Sequence, residues 1–360
     1  MSLLTKNGKP RFRDFGFSVG RLPAGERRAI TDVSGVRVGH QSIVRGDTIR
    51  TGVTMIDPGV ADCYTGKLPA AVAVGNGAGK VAGFTQVEEF GTIEAPIALT
   101  NTLAVGPVTR GVVDLVLAQQ PQMGPFDTIN VVVGECNDGI LSAIHQDVVT
   151  SADVRAAYDA RTADFMVGNV GAGTGTRAFS WKGGIGTASR RIPAGDREYV
   201  VGVLVQTNYG GACTVLGVPV GERLGKTDYA GFLPPTHDGS CMIVIATGAP
   251  VTHRQLRRMA SRAFLGIGRT GSILRHPSGD YAIAFTTNRT GLEGSGVVGS
   301  CLRDEDLTPF FLGIVDAVEE SVYDALFAAE TVRGRDGQVL DAFPVDQVLP
   351  WLQATQEVRA

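Results

Sequence analysis

No run in this chain approaches the ~18 consecutive apolar residues of a membrane-spanning helix, so no membrane partner is expected. No Cys-x-x-Cys and no His-x-x-x-His spacing occurs among its five cysteines and five histidines. That removes the commonest zinc-binding patterns, and neither a metal nor a cofactor is expected. Charge is sparse, at 19% of residues, and nearly balanced, with a formal net charge of −3. No basic stripe is interleaved with aromatics, which argues against nucleic acid as a partner. The basic cluster Arg254, Arg257, Arg258 and Arg262 has helical spacing and reads as a solvated helix face. Met1 to Pro10 is polar and basic with no apolar segment, so a secretory signal is not expected. Cys63, Cys136, Cys213, Cys241 and Cys301 are odd in number and mostly sit in apolar surroundings. Reduced thiols in a cytoplasmic protein fit that usage.

Glycine, by contrast, is abundant: 48 of 360 residues, or 13%, against an ordinary ~7%. The glycines are spread through apolar runs, which suggests tight turns and close backbone packing rather than a linker. With 43% hydrophobic residues the chain can bury a large core. Its length allows two domains or one large α/β domain, and the expectation is a single domain over 1–360.

Residues 1–26 read as a surface arm. Ile30 to His40 reads as strand, turn and strand. Further strands are expected at Thr51 to Asp57, Ile97 to Thr100, Ile129 to Gly134, Tyr199 to Gln206, Ser240 to Thr247 and Tyr281 to Thr287. Helical spacing marks Gly106 to Gln119, Ala152 to Arg161, Thr252 to Leu265 and Thr308 to Glu330. The last carries Phe311, Val315, Val318, Val322 and Leu326 on one stripe, as an amphipathic helix would. Strands and helices do not alternate strictly, which favours a layered α/β domain with mixed or antiparallel sheets.

Two glycine clusters invite nucleotide readings and fail them. In Gly75 to Lys80, Val74 stands where a phosphate loop needs its first glycine, and Val81 replaces the hydroxyl residue after the lysine. Gly168 to Thr176 opens no βαβ unit and reads as a loop that shapes a site or an interface.

The most informative stretch is 238–250. There the loop Gly221 to Gly239 feeds the apolar strand Met242-Ile243-Val244-Ile245 through Gly239-Ser240. A hydroxyl at the first position of a buried strand suits a chain that cuts itself before Ser240. Gly239, lacking a Cβ, can adopt the strained or positive-φ backbone that exposes its carbonyl. The new α-amine, with a pKa of roughly 7.7–8.0, is close to ideal as a general base for its own hydroxyl. The plainer alternative is a Gly-Ser turn before a core strand. Alternation puts Ser240, Met242 and Val244 on one face and Cys241 on the other, which rules Cys241 out as nucleophile.

Four other residues are candidates. Ser278 and Asp280, two apart before an apolar strand, can orient the proton or the amine of Ser240. Asn208, ending a strand, can donate to an oxyanion. Glu135, at the end of Asn130-Val131-Val132-Val133, can hold a substrate ammonium. Each is equally a turn or loop residue when read alone.

Several longer motifs, in order, resemble the β-aminopeptidase family, which includes the L-aminopeptidase/D-amidase/esterase. They are Thr31-Asp32-Val33-Ser34-Gly35-Val36-Arg37-Val38-Gly39-His40, Gly75-Asn76-Gly77, Thr100-Asn101-Thr102-Leu103-Ala104-Val105-Gly106, Gly183-Gly184-Ile185-Gly186-Thr187, Asp238-Gly239-Ser240 and Arg269-Thr270-Gly271-Ser272. The match runs from about 27 to 345. The resemblance implies a four-layer αββα sandwich of the N-terminal-nucleophile type. It also implies autocleavage into an α chain 1–239 and a β chain 240–360, assembled as a tetramer of αβ heterodimers. It gives Ser240 the role of nucleophile, Ser278 and Asp280 the roles of its downstream partners, Asn208 the oxyanion and Glu135 the substrate amine. The expected substrates are short peptides, amides or esters. Two positions depart from the family. Gly248 stands where members usually have Asp. The Tyr that serves some members as second oxyanion donor, near 136–140, has no counterpart. Alternatives are an acyltransferase of the ornithine-acetyltransferase type or an amide-oligomer hydrolase, both usually threonine enzymes. A further alternative is an uncleaved, inactive binding or structural homologue.

Overall fold

Alternation along one strand sets the layering. In a computed structural model describing residues 4–228, 239–290, 292 and 300–359, the strand Gly239–Thr247 is buried along its whole length. Cys241, Ile243 and Ile245 join one apolar core and Met242, Val244 and Ala246 another. A strand buried on both faces must be a middle layer.

The strands of the two main sheets are β1 (Arg37–Arg45), β2 (Ile49–Asp57), β3 (Leu68–Gly77), β4 (Thr92–Ile93), β5 (Ile97–Asn101), β6 (Val133–Cys136), β7 (Ile185–Ala194), β8 (Arg197–Asn208), β9 (Gly239–Thr247) and β10 (Ser278–Thr286). The larger sheet runs β7-β8-β9-β10-β3-β4, with β9 and β10 parallel and its other pairs antiparallel. The smaller runs β1-β2-β5-β6, with only β5 and β6 parallel. The mixed sheets match the expectation.

The principal helices are α1 (Phe84–Phe90), α2 (Val105–Gln119), α3 (Ser151–Asp159), α4 (His253–Arg269), α5 (Thr308–Ala328) and α6 (Val345–Arg359). Leu256, Met259 and Ala263 of α4 and Ile314, Val318 and Val322 of α5 cover the outer face of the larger sheet. Val108 and Val112 of α2 and Val154 of α3 cover the smaller sheet with Val53, Met55 and Ala98. Between the sheets lie Ile56, Leu99, Leu204, Val244 and Ile283. The order of layers is therefore αββα.

Some expectations need correction. Of the segment 1–26, the described residues 4–26 are no surface arm, because Arg11, Phe12, Phe17 and Val19 are buried. Arg11 donates from Nε and Nη2 to Asp324 of α5, each at 2.7 Å. The helix α5 is not amphipathic. It is buried on all sides from Gly313 to Ala328, and its acids are matched from outside by Arg11 on Asp324 and by Arg190 on Glu320. Ile30–Asp32 is a 3-10 turn rather than a strand, held by backbone N–H groups of Arg27 and Ala29 donating to Asp32. The strand placed at 129–134 is displaced to Val133–Cys136, because the Asn130 N–H is taken by Glu94. The loop expected at 221–239, Asp238 included, lies in part outside the described residues.

Candidate active site

Ser240 is the second residue of β9 and is buried. Its Oγ donates to the carbonyl oxygen of Gly239 at 2.7 Å. Gly239 is the first residue of β9. Extended strand geometry holds it, and a Cβ there would come within 3.3 Å of Tyr209 Cα. That close approach favours glycine.

Asn208, at the end of β8, is the direct cross-strand partner of Ser240. Its Oδ1 accepts the Arg177 N–H at 3.0 Å. Its Nδ2 is buried and makes no hydrogen bond to the described residues. The bond to Oδ1 fixes which end of the amide is which, and leaves a donor beside Ser240.

In the parallel pair β9–β10, Ser278 lies level with Gly239, and Asp280 with Cys241. Level residues on neighbouring strands share a face, so Asp280 faces the helical layer with Cys241, opposite Ser240. Burial pushes the Asp280 carboxyl up to about 6, and the nearby Ser278 hydroxyl offsets part of that rise. Neither of its carboxylate oxygens has a fully formed hydrogen bond among the described residues. Burial drives the Cys241 thiol well above its ordinary range, and the Asp280 charge adds to it. An inert thiol on the far face agrees with setting Cys241 aside as nucleophile.

A cavity of about 230 Å³ opens at Ser240, walled by Gly79, Lys80, Thr102, Glu135 and Asn137 among others. Glu135, on β6, is buried. Its Oε1 accepts the Lys80 N–H at 2.8 Å, and its Oε2 accepts the Thr102 hydroxyl. The structure thus brings Gly239, Ser240 and Glu135 to one cavity. Asn208, Ser278 and Asp280 stand on the strands flanking Ser240 but do not line that cavity.

The family model for peptidase family S58 matches residues 28–340. The chain belongs to peptidase family S58. Among curated relatives, beta-peptidyl aminopeptidase BapA of Sphingosinicella xenopeptidilytica is 38% identical, over 96% of this chain and 91% of its own length. The PH0078 protein of Pyrococcus horikoshii OT3 is also 38% identical. Its structure covers 96% of this chain and 99% of its own with a TM-score of 0.89. The L-aminopeptidase D-Ala-esterase/amidase of Ochrobactrum anthropi, described as a variant of the Ntn hydrolase fold, is 34% identical, with a TM-score of 0.87 over 97% of this chain and 99% of its own. The fold the motifs implied is the fold of the S58 enzymes, and the chain is a hydrolase of their aminopeptidase and amidase kind.

The S58 departure at Gly248 loses its force in three dimensions. Gly248 follows the far end of β9, eight residues beyond Ser240, which at ~3.3 Å per residue is on the order of 26 Å. Sequence reasoning missed two parts of the cavity. Lys80 and Gly79 belong to the cluster dismissed as a phosphate loop, and Gly79 is where a Cβ would come 2.9 Å from Glu135 Oε1. Asn137 occupies the segment where no second oxyanion donor was found, with its Oδ1 accepting the Gly139 N–H at 2.8 Å. The glycine run was the available signal for the first; for the second there was none.

Proposed function

We propose that this S58 enzyme cuts its own chain between Gly239 and Ser240 and then removes N-terminal residues from short peptides, amides or esters. The hydrogen bond from Ser240 Oγ to the Gly239 carbonyl oxygen carries the first half. Attack of Oγ on that carbonyl carbon breaks the Gly239–Ser240 C–N bond and leaves an ester, with the nitrogen taking up the hydroxyl proton. Water then releases Gly239 as a carboxylate and restores the Ser240 hydroxyl beside its own free amine.

In turnover, that amine accepts the Oγ proton as Oγ attacks the substrate carbonyl. The Asn208 Nδ2 donates to the oxyanion, the proton passes to the leaving amine or alcohol as the scissile bond breaks, and water then hydrolyses the ester on Oγ, releasing the N-terminal residue as a carboxylate and restoring the Ser240 hydroxyl. Glu135 receives the substrate ammonium. Ser278 and Asp280 act on the amine rather than on Oγ, a reading supported by their position beside Gly239 and Cys241 in the register. The tetramer of αβ heterodimers and the cytoplasmic location are carried over from the resemblance and the free thiols.

Intact mass under denaturing conditions tests the first half. At 37.8 kDa over 360 residues, about 105 Da each, cleavage yields fragments of about 25 and about 13 kDa. Ser240→Ala should remain at full mass and be inactive. A processed, active Ser240→Ala protein refutes the proposal.

A further inference from the structure

Lys182 is fully buried, yet among the described residues no carboxylate bonds to it. Its Nζ donates to three backbone carbonyls: Thr176 at 2.5 Å, Gly183 at 2.8 Å and Gly173 at 2.9 Å. Three acceptors at these distances require three N–H donors, which only the ammonium form has. Burial pulls its pKa well down and the charge of buried Asp138 opposes that. Keeping an unbridged cation in the interior is costly, so its placement calls for a reason.

The Thr176 carbonyl supplies one. It belongs to the same peptide unit as the Arg177 N–H, and that N–H holds Asn208 Oδ1 at 3.0 Å. A continuous line therefore runs from the Lys182 ammonium, through the Thr176–Arg177 peptide, to the Asn208 amide beside Ser240. A cation on a peptide oxygen polarises that peptide and strengthens its N–H as a donor. A stronger bond to Oδ1 in turn makes Nδ2 a better donor and fixes its direction. The glycine loop is held in the same way. Gly173 and Gly183 are both tied to Nζ, and Gly183 also donates to the Thr176 oxygen at 3.1 Å. The loop packs so closely on β2 that a Cβ at Gly175 would fall 2.0 Å from the Arg50 carbonyl oxygen.

We propose that Lys182 is a positioning residue for the oxyanion donor: its buried charge acts on the transition state through the Thr176–Arg177 peptide and Asn208. This rests on the reading of Asn208 given above. Losing an oxyanion donor outright typically costs 10²–10³ in kcat. Losing the charge behind it should cost about tenfold or more within that ceiling, with KM almost unchanged because the ground-state carbonyl is not yet an oxyanion.

The test is a double-mutant cycle of Lys182→Met and Asn208→Ala, with turnover expressed per mole of free Ser240 amino terminus so that slow processing is not counted as slow catalysis. Thermal unfolding establishes that each variant is folded. Should Lys182→Met not fold, Lys182→Gln, which keeps two donors for the carbonyls and loses the charge, takes its place. The expected result is a tenfold or larger fall in kcat with KM within twofold, and no further fall when the Lys182 change is added to Asn208→Ala. Affinity for a tetrahedral boronic-acid substrate mimic should drop in parallel with kcat. A folded Lys182 variant with kcat within twofold of the parent overturns the proposal, as does an equal fall in both backgrounds. If Asn208→Ala alone turns over normally, the oxyanion reading itself has failed.

Discussion

Replacing Glu135 by Gln separates substrate recognition from chemistry. The carboxylate is buried and pinned from two sides, by the Lys80 N–H on Oε1 and the Thr102 hydroxyl on Oε2. A Gln at this position can still accept the Lys80 bond, so the cavity should keep its shape while the charge goes. A hydrogen bond to a charged group contributes about 1.5–3 kcal/mol, which corresponds to about a 10- to 150-fold loss in kcat/KM. The loss should be mostly in KM, since the ammonium carries the same charge in ground and transition states and is bound alike in both. Self-cleavage involves no ammonium ligand, so Glu135→Gln should still give the two fragments at the parental rate. Gly79→Ala approaches the same point sterically, because its methyl group would lie 2.9 Å from Glu135 Oε1 and 2.7 Å from Tyr281 Cε2. Steady-state kinetics on a chromogenic amide with a free amine, beside denaturing mass spectrometry, checks both variants. A Glu135→Gln enzyme with KM within twofold of the parent refutes the assignment, and so does one that no longer cuts itself.

Other outcomes follow from the same geometry. Asp280 titrates at about 6 when buried in the uncut chain, above its unfolded value near 3.9. Its raised pKa therefore stabilises the fold below about pH 4, and that contribution is lost as pH rises through 6, by up to about 3 kcal/mol. Urea unfolding of Ser240→Ala between pH 4 and 7 should show the decline, and adding Asp280→Asn should flatten it. Arg11→Ala strands buried Asp324 and should cost about 3–5 kcal/mol in urea unfolding, with turnover per folded molecule unchanged. Cys241→Ala should retain normal turnover, and iodoacetamide should fail to inactivate the folded parent, because the thiol is buried on the face away from Ser240.

The fold was legible where one physical rule governed a segment. The strand β9 shows a continuous apolar run bounded by Gly-Ser and Gly-Ala-Pro, and its observed bounds differ by one residue from those expected. The helices α2 and α4 show their stripes equally well. Failures came where burial was made possible by distant partners. The strand β7 contains Ser189, Arg190, Arg191 and Pro193 and does not look like a core strand. Arg190 is nevertheless buried, because Glu320 and the carbonyls of Ser189 and Val19 receive its guanidinium. The N-terminal segment misled for the same reason: a charged arm reads as solvated until its arginine meets a buried acid 313 positions away. Local sequence carries no sign of such a pairing.

The candidate site divides along the same line. Period-two spacing within each strand, which a sequence displays directly, puts Ser278 and Asp280 on one face of β10; that β10 lies beside Gly239 and Ser240 of β9 is a tertiary fact. The cavity wall depends on which loop reaches Glu135, and that is a tertiary fact: Lys80 contributes a backbone N–H, which any residue but proline could supply. What a sequence can reveal there is glycine, since only the missing Cβ at Gly79 leaves room for the carboxylate. A glycine cluster that fails every nucleotide motif is therefore still informative. In this chain, 75–80 walls the carboxylate, and 168–176 carries the peptide that holds Asn208. Other glycines serve packing alone, as where a Cβ at Gly186 of β7 would fall 1.9 Å from the Ser321 carbonyl oxygen of α5, so it is position beside the site, and not the excess of glycine itself, that marks these two clusters.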